Sequence, residues 1–237
     1  MRQDKPFFGL DAPPIVAAYA ALALAGAALI VVELAGVVHL GGVGYWLAAV
    51  GVLVAGAMVY SSLRGKLTVR DRLLRRLRIR PDDDVLDLGC GSGLMLLGAA
   101  KIATGGEAVG IDLWRGADQA GSTRERCMAN ARILGVAERV RLIDGDMSEL
   151  PLPDGSVDVV LACVSIHNIH DKSLRQKTIR EAARVLRPGG KLGVIDFSRT
   201  KEHAHTATAA GLADVDRSGW TFAMYPPVRT VTATKPA

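Results

Sequence analysis

Hydrophobic and polar positions along the chain fall into three regimes. Across residues 15–40 only Glu33 carries a formal charge, and a second apolar run follows over residues 45–63. At 1.5 Å rise per residue, either run as a helix is long enough to span a hydrocarbon core of about 30 Å. From Lys66 to Arg80 the apolar residues Leu67, Val69, Leu73, Leu74 and Leu77 recur at helical spacing opposite Arg72, Arg75, Arg76 and Arg78, with Arg70 intruding on the apolar side. After Pro81 the pattern changes again. Short β-rich runs at 85–89, 108–112, 140–144, 157–163 and 191–197 alternate with helical stretches, which predicts an α/β domain with a doubly wound parallel sheet. A helical stretch at 204–212 and an antiparallel hairpin of roughly 214–223 and 228–234 close the chain.

These regimes divide the 237 residues into an N-terminal helical hairpin (1–63, spans about 15–38 and 45–63), a basic amphipathic juxtamembrane helix (64–80) and a catalytic domain (81–237). The net charge of +5 is local in origin: residues 64–80 hold eight Lys or Arg and one acid, Asp71. The rest is nearly balanced, which argues against a nucleic-acid surface. Arg2 and Lys5 precede the first run and the basic cluster follows the second, while the turn between the runs has neither Lys nor Arg. The positive-inside rule therefore puts both hairpin ends and the catalytic domain in the cytoplasm, as a multi-pass protein of the plasma membrane, with Tyr45 and Trp46 at the far interface. A cleaved signal peptide fits poorly, because the first run is too long and a second follows at once.

The basic helix has two compatible destinations. It can lie on the anionic lipids of the cytoplasmic leaflet, where each basic residue contributes about 1 kcal/mol, or it can pack on the catalytic domain. Glu33, near the far end of the first run, can reach headgroup level or pack within the hairpin. Ala21 with Ala25, and Gly51 with Ala55, stand four apart and would let helices approach closely, which also opens a route to a homo-oligomer. The cysteines, Cys90, Cys127 and Cys163, have no C-x-x-C spacing and imply a reducing compartment without a disulfide framework or zinc site.

Candidate chemistry begins where the first strand runs into Asp87-Leu-Gly-Cys-Gly-Ser-Gly93 and then a helix at 94–103. Glycines there allow a tight turn and close approach of a ligand to the backbone. The second strand ends in Asp112, 19 residues beyond Gly93, where a carboxylate can accept two hydrogen bonds from a ribose. The loop reads G-x-G-x-G led by an acid, not G-x-G-x-x-G, and makes no provision for a pyrophosphate. The third strand ends in Asp144-Gly-Asp146-Met147.

Over residues 84–235 the stretches V-L-D-L-G-C-G-S-G, V-G-I-D-L, D-G-D-M followed by L-P, S-V-D-V-V and R-V-L-R-P-G-G-K-L occur in order. In these the chain resembles the class I S-adenosylmethionine-dependent methyltransferases, most closely the branch with ubiquinone/menaquinone C-methyltransferases and small-lipid methyltransferases. The resemblance implies a Rossmann-like sheet, S-adenosylmethionine as donor, S-adenosylhomocysteine as product, and no metal. It implies that Asp87, Gly89, Gly91 and Gly93 hold the methionine part, with Cys90 and Cys163 alongside. Asp112 with Leu113 would then hold the ribose, and Asp146 with Met147 the adenine.

Ligands of such sheets sit beyond the carboxyl ends of the strands, so the methyl acceptor is expected near strands four and five. The chain there reads Cys163-Val-Ser-Ile-His167-Asn168-Ile-His170-Asp171, and later Asp196-Phe-Ser198. His167 is the leading candidate base, with Asn168 and His170 as further catalytic candidates. The alternative is a turn histidine ahead of a helix near Lys172, capped by Asp171 or Ser173. The polar, Gly-rich segment 114–122 adds Trp114 and Asp118 to Asp196 as substrate-site candidates. A short connection after Phe197 leaves the mouth of the site uncovered, and the hairpin with the basic helix can supply that wall. Every cofactor candidate lies after Pro81, so loss of residues 1–63 is expected to spare donor binding.

The function expected is methyl transfer to a lipophilic acceptor such as a lipid, fatty acid or quinone, with O-, N- and C-methylation all open. Two other classes stay open, a membrane-bound nicotinamide oxidoreductase and a non-catalytic nucleoside-binding membrane scaffold.

Overall fold

The computed structural model describes residues 5–114 and 123–237, so Asp118 lies outside the described residues. Helices α1 (Pro13–Leu34) and α2 (Val43–Tyr60) form an antiparallel pair, and each is long and apolar enough to cross a membrane by length and composition. Their outward faces carry large apolar side chains bare to the surroundings, among them Leu24 at 72% and Leu53 at 70% exposure. Only Gly26 is buried in α1, and Gly44, Gly51 and Met58 in α2. A Cβ on Gly26 would collide with the Ala48 backbone, and one on Gly51 with the backbone of Tyr19 and Ala23, so glycines set the contact distance. Ala21 and Ala25, the small pair expected from spacing, face outward. Glu33 belongs to the hairpin turn: its Oε1 accepts from the Leu40 amide at 3.3 Å while Oε2 is buried.

The second apolar run does not end at residue 63. It passes through a π-helical turn (Ser61–Gly65) into α3 (Lys66–Leu77), giving one helix from Val43 to Leu77. The turn is pinned on two sides. Ser61 Oγ accepts from the Tyr225 amide, and Ser62 Oγ accepts from the Asp11 amide. Val69, Leu73, Leu74 and Leu77 of α3 pack on Val85, Met95, Val159, Leu161 and Ile195 of the catalytic domain. The apolar face of the basic helix is thereby used inside the protein and is not offered to lipid. Arg72, Arg75, Arg76 and Arg78 remain exposed, with Arg76 2.8 Å from Asp216.

The catalytic domain is a seven-stranded sheet in the order β3-β2-β1-β4-β5-β7-β6. Strands β1 (Val85–Leu88), β2 (Ala108–Asp112), β3 (Val140–Asp144), β4 (Val157–Cys163) and β5 (Leu186–Asp196) run parallel, while β7 (Arg229–Thr234) lies antiparallel between β5 and β6 (Ala213–Arg217). Alternate residues of the central strands serve opposite faces. Leu86, Leu88, Val160 and Ala162 pack with α6 (Lys172–Val185) and α7 (Thr200–Ala209), whereas Val85, Val159 and Leu161 pack with α3 and α4 (Leu94–Ala100). Helix α5 (Arg124–Ile133) completes the second face through Cys127 and Ala131. Helix α7 begins at Thr200, earlier than the pattern suggests, and β6 is shorter than the expected hairpin arm. β1 and β4 are neighbours whose parallel connection passes through other strands, so the crossover point lies between them, where such sheets bind ligands.

Candidate active site

The loop after β1 is built around a buried acid. Asp87, 1% exposed, accepts at Oδ2 from the Leu96 amide in the first turn of α4, which ties the loop to the helix it precedes. Its other oxygen, Oδ1, is buried without a hydrogen-bond partner. Burial pushes this carboxyl up to about 7, against the pull of the Leu96 amide, and the neighbouring charge of Asp112 adds to the rise. A buried, unpaired carboxylate oxygen suits a cationic donor such as an amino acid's ammonium. Gly89 has φ 70, and a Cβ there would meet Ser165 at 2.5 Å, so only glycine serves. Ser165 in turn donates to the Leu88 carbonyl at 2.7 Å, joining the ends of β1 and β4.

Asp112 closes the loop from the side. Its Oδ2 accepts from the Gly91 amide and its Oδ1 from the Trp114 amide, both at 2.8 Å. Each oxygen keeps a second lone pair for a ribose hydroxyl. Asp146 is exposed and accepts from the Ser148 amide at 2.7 Å, and Met147 stands against the Gly89 turn. The indole N–H of Trp114 donates to Asp144 at 2.7 Å. Trp114 therefore stands at the β2/β3 side of the site, with β1 between it and the strand-four loop, a different place from the strand-four and strand-five end where the acceptor is expected.

On that other side His167 Nδ1 is 3.0 Å from Asp196 Oδ1 and 3.3 Å from Oδ2, and its ring meets Phe197 at 4.3 Å between centroids. Asp196 is fully buried at the end of β5. Burial alone would raise its carboxyl, but the hydrogen bond from His167 and the proximity of His203 hold it at about 2. His203 Nε2 stands 3.7 Å from Asp196 Oδ2, beyond ordinary hydrogen-bond length. An ionised partner on Nδ1 fixes the ring's orientation and leaves Nε2 as the basic nitrogen, the tautomer being inferred from that partner. Asn168 and His170 are exposed, and Asp171 caps α6 by accepting from the Ser173 and Leu174 amides.

One cavity of about 860 Å³ joins the two sides, with Asp87, Gly89, Cys90, Gly91, Asp112, Leu113, Trp114, Asp146, Met147, Cys163, His167, Asn168 and His170 all on its lining. Gly93 and Asp196 stand behind it. Gly93 caps α4 with φ 88, and Asp196 reaches the cavity through His167.

Three supporting residues escape a reading of motifs. Arg175, only 2% exposed, donates to the carbonyls of Ile169 and His170 and pairs with Glu202, clamping the loop that carries His167. Asn130 accepts from the Phe7 amide and donates to the carbonyls of Phe7 and Ser92, fastening the N-terminal segment to the glycine loop. Lys66, buried at the start of α3, donates to the carbonyls of Phe8 and Gly9 and pairs with Asp11. A buried Arg or Lys in a polar helix has no local signature, because its acceptors come from distant segments.

Comparison with known proteins agrees with this geometry. The methyltransferase domain family matches residues 86–194. A 27-O-demethylrifamycin SV methyltransferase of Amycolatopsis mediterranei is 40% identical over 127 residues, covering 54% of this chain and 43% of the relative. A demethylmenaquinone methyltransferase of Lactobacillus johnsonii is 28% identical, covering 55% of this chain and 50% of its own length. The chain thus spans about half the length of the curated relatives it matches. The crystal structure of an S-adenosylmethionine-dependent methyltransferase from Aquifex aeolicus shares the fold at 20% identity, with a TM-score of 0.56 over 72% of this chain and 92% of that one. Residues 86–194 accordingly match the methyltransferase domain family, and the fold is the one seen in the S-adenosylmethionine-dependent methyltransferase of Aquifex aeolicus.

Proposed function

We propose that this chain is a membrane-anchored methyltransferase that moves a methyl group from S-adenosylmethionine to a lipophilic acceptor of quinone type at the cytoplasmic face of a membrane. The observation that carries the reading is the single cavity in which the Asp87 loop and Asp112 face the His167–Asp196 pair. The two relatives are named for a rifamycin and a menaquinone precursor, which supports a ring acceptor. The apolar hairpin and the cationic face of α3 support a membrane location.

When bound, S-adenosylmethionine supplies a methyl group already activated by a sulfonium charge. The protein's share is then alignment, exclusion of water and proton removal. Asp87 Oδ1 takes the ammonium of the methionine part, Asp112 the ribose hydroxyls, and Asp146 with Met147 the adenine. His167 accepts the acceptor's proton at Nε2, and Asp196 stabilises the imidazolium through Nδ1. Phe197 and the wall of the cavity keep water from the acceptor side.

The test is incubation of the full chain with methyl-radiolabelled S-adenosylmethionine and a total membrane-lipid extract, alongside a reduced alkyl-naphthoquinone. Label in a lipophilic product is the expected result. Tight S-adenosylhomocysteine binding with no transfer to any species would turn the reading to a scaffold, and preferential NADH binding would turn it to an oxidoreductase.

A further inference from the structure

The hairpin does more than stand beside the cavity. Ile15 and Tyr19, in the first two turns of α1, and Met58, near the end of α2, lie on the same lining as Asp87 and His167. Exposure falls inward along these residues. Ile15 is half exposed, Tyr19 partly buried, and Met58 only 4% exposed although its neighbour Tyr60 is 60% exposed. Met224 and Val228, both buried in the loop before β7, form the facing wall. Two hydrogen-bonded anchors hold the wall in place, Ser61 with Tyr225 and Ser62 with Asp11. The cavity that holds Asp87 and His167 therefore extends to the ends of two helices whose composition suits a bilayer, with the Lys66–Asp11 pair on the same lining.

We propose that Tyr19 and Met58, with Ile15 at the mouth, form the binding site for the apolar tail of the acceptor and determine which tails the enzyme takes. This rests on the reading of the cavity as a methyltransferase site. A tail that enters between the cytoplasmic ends of α1 and α2 passes from leaflet to protein without crossing water, so extraction of the acceptor carries no hydrophobic penalty. Methionine suits such a wall, because its unbranched thioether adapts to tails of different shape. The ring end of the same molecule then meets His167, and the anchor and the specificity element are one structure.

The test uses the full chain in lipid nanodiscs with S-adenosylhomocysteine bound. A 1,4-naphthoquinone carrying an alkyl tail with a terminal diazirine is photolysed and its adducts are mapped by mass spectrometry. Adducts on peptides holding Tyr19 and Met58, competed by the unlabelled tailed quinone but not by tail-free naphthoquinone, are expected. Adducts confined to outward residues such as Leu24 and Leu53, or uncompeted, overturn the proposal. In a second arm, Met58→Trp fills that end of the cavity, and the ratio of kcat/KM for tailed over tail-free quinol should fall about tenfold or more, the scale set by small volume changes in an apolar pocket. An unchanged ratio overturns the tail site. Should the protein methylate neither quinol, the activity reading fails separately, and the labelling pattern still decides the tail site.

Discussion

His167 holds its Nδ1 against Asp196, a carboxylate with no exposure to solvent, at 3.0 Å. An ionised acid in that position does not compete for the substrate's proton; it orients the imidazole and stabilises its charged form. His167→Ala should therefore lower turnover by about a hundredfold, the usual range for a positioned base, with S-adenosylhomocysteine affinity nearly intact. Asp196→Asn should lower turnover as well while leaving the nitrogen in place, because an amide can hold the ring in the wrong tautomer. Steady-state kinetics paired with calorimetric binding check both. Wild-type turnover in His167→Ala would return the residue to a turn role and point to an acceptor with no proton to lose.

Asp87 predicts a conflict between stability and binding. Its folded-state value of about 7 lies above the ordinary 3.8, so between those values the folded chain holds a proton that the unfolded chain has released. Stability from this group then falls as pH rises from about 4 to 7 and stays low above, a difference on the order of 4 kcal/mol. Asp87→Asn should flatten that slope and raise the melting temperature of the cofactor-free protein at pH 8, while weakening S-adenosylhomocysteine binding. Thermal unfolding across pH, with and without ligand, gives both readings. Parallel pH slopes for the two proteins would remove the buried-charge account.

Asp112 links the glycine loop to the strand-two end through the amides of Gly91 and Trp114. On the proposed reading its removal takes away the ribose acceptor, and it loosens the loop by freeing both amides. Asp112→Ala should weaken S-adenosylhomocysteine by roughly 2 to 4 kcal/mol, taking hydrogen bonds to a charged acceptor as less than additive. Calorimetry on a folded variant decides it, and unchanged affinity would take the ribose assignment away.

What was legible in the sequence follows from how local each signal is. The central parallel strands are rich in buried Val, Leu and Ile, and the turn at Gly89 announces itself as a glycine-rich run directly after β1, where the structure gives Gly89 a φ of 70 and close contact with Ser165. Asp112 is readable because an acid at the end of strand two sits at a fixed distance from the loop. The destination of α3 was not readable, since a Leu-rich helical face suits a bilayer and a sheet equally well, and burial on Val85 and Ile195 is a tertiary choice. Nor were Arg175, Asn130 and Lys66, whose partners come from segments up to 123 residues away. Tyr19 and Met58 look like any other residues of an apolar helix until the chain folds back on itself.

The N-terminal segment gives the last prediction, and it departs from what the positions of the cofactor motifs suggest. Phe8 is 7% exposed, packs in one cluster with Cys90, Leu96 and Leu97, and lies on the lining of the cavity. Asn130 joins Phe7 to Ser92 within that loop, and Lys66 is neutralised in its buried position by Asp11 and by the carbonyls of Phe8 and Gly9. Deleting residues 1–63 would strip these contacts at once, leaving Lys66 without its acceptors and Asn130 without its two bonds to Phe7, and opening a gap where Phe8 sat. Loss of a buried Phe side chain costs about 3 to 5 kcal/mol, and each stranded polar group adds about 1 to 3. The truncated chain should therefore melt at lower temperature and bind S-adenosylhomocysteine at least about tenfold more weakly, a change of 1.4 kcal/mol. Asn130→Ala in the full chain separates the strap from the hairpin, because it leaves the hairpin intact. It should speed hydrogen exchange at the Phe7 amide and weaken ligand binding in the same direction. If the truncated chain matches the full one in both melting temperature and affinity, residues 5–12 are no part of the donor site and the hairpin can be removed from the cofactor side without consequence.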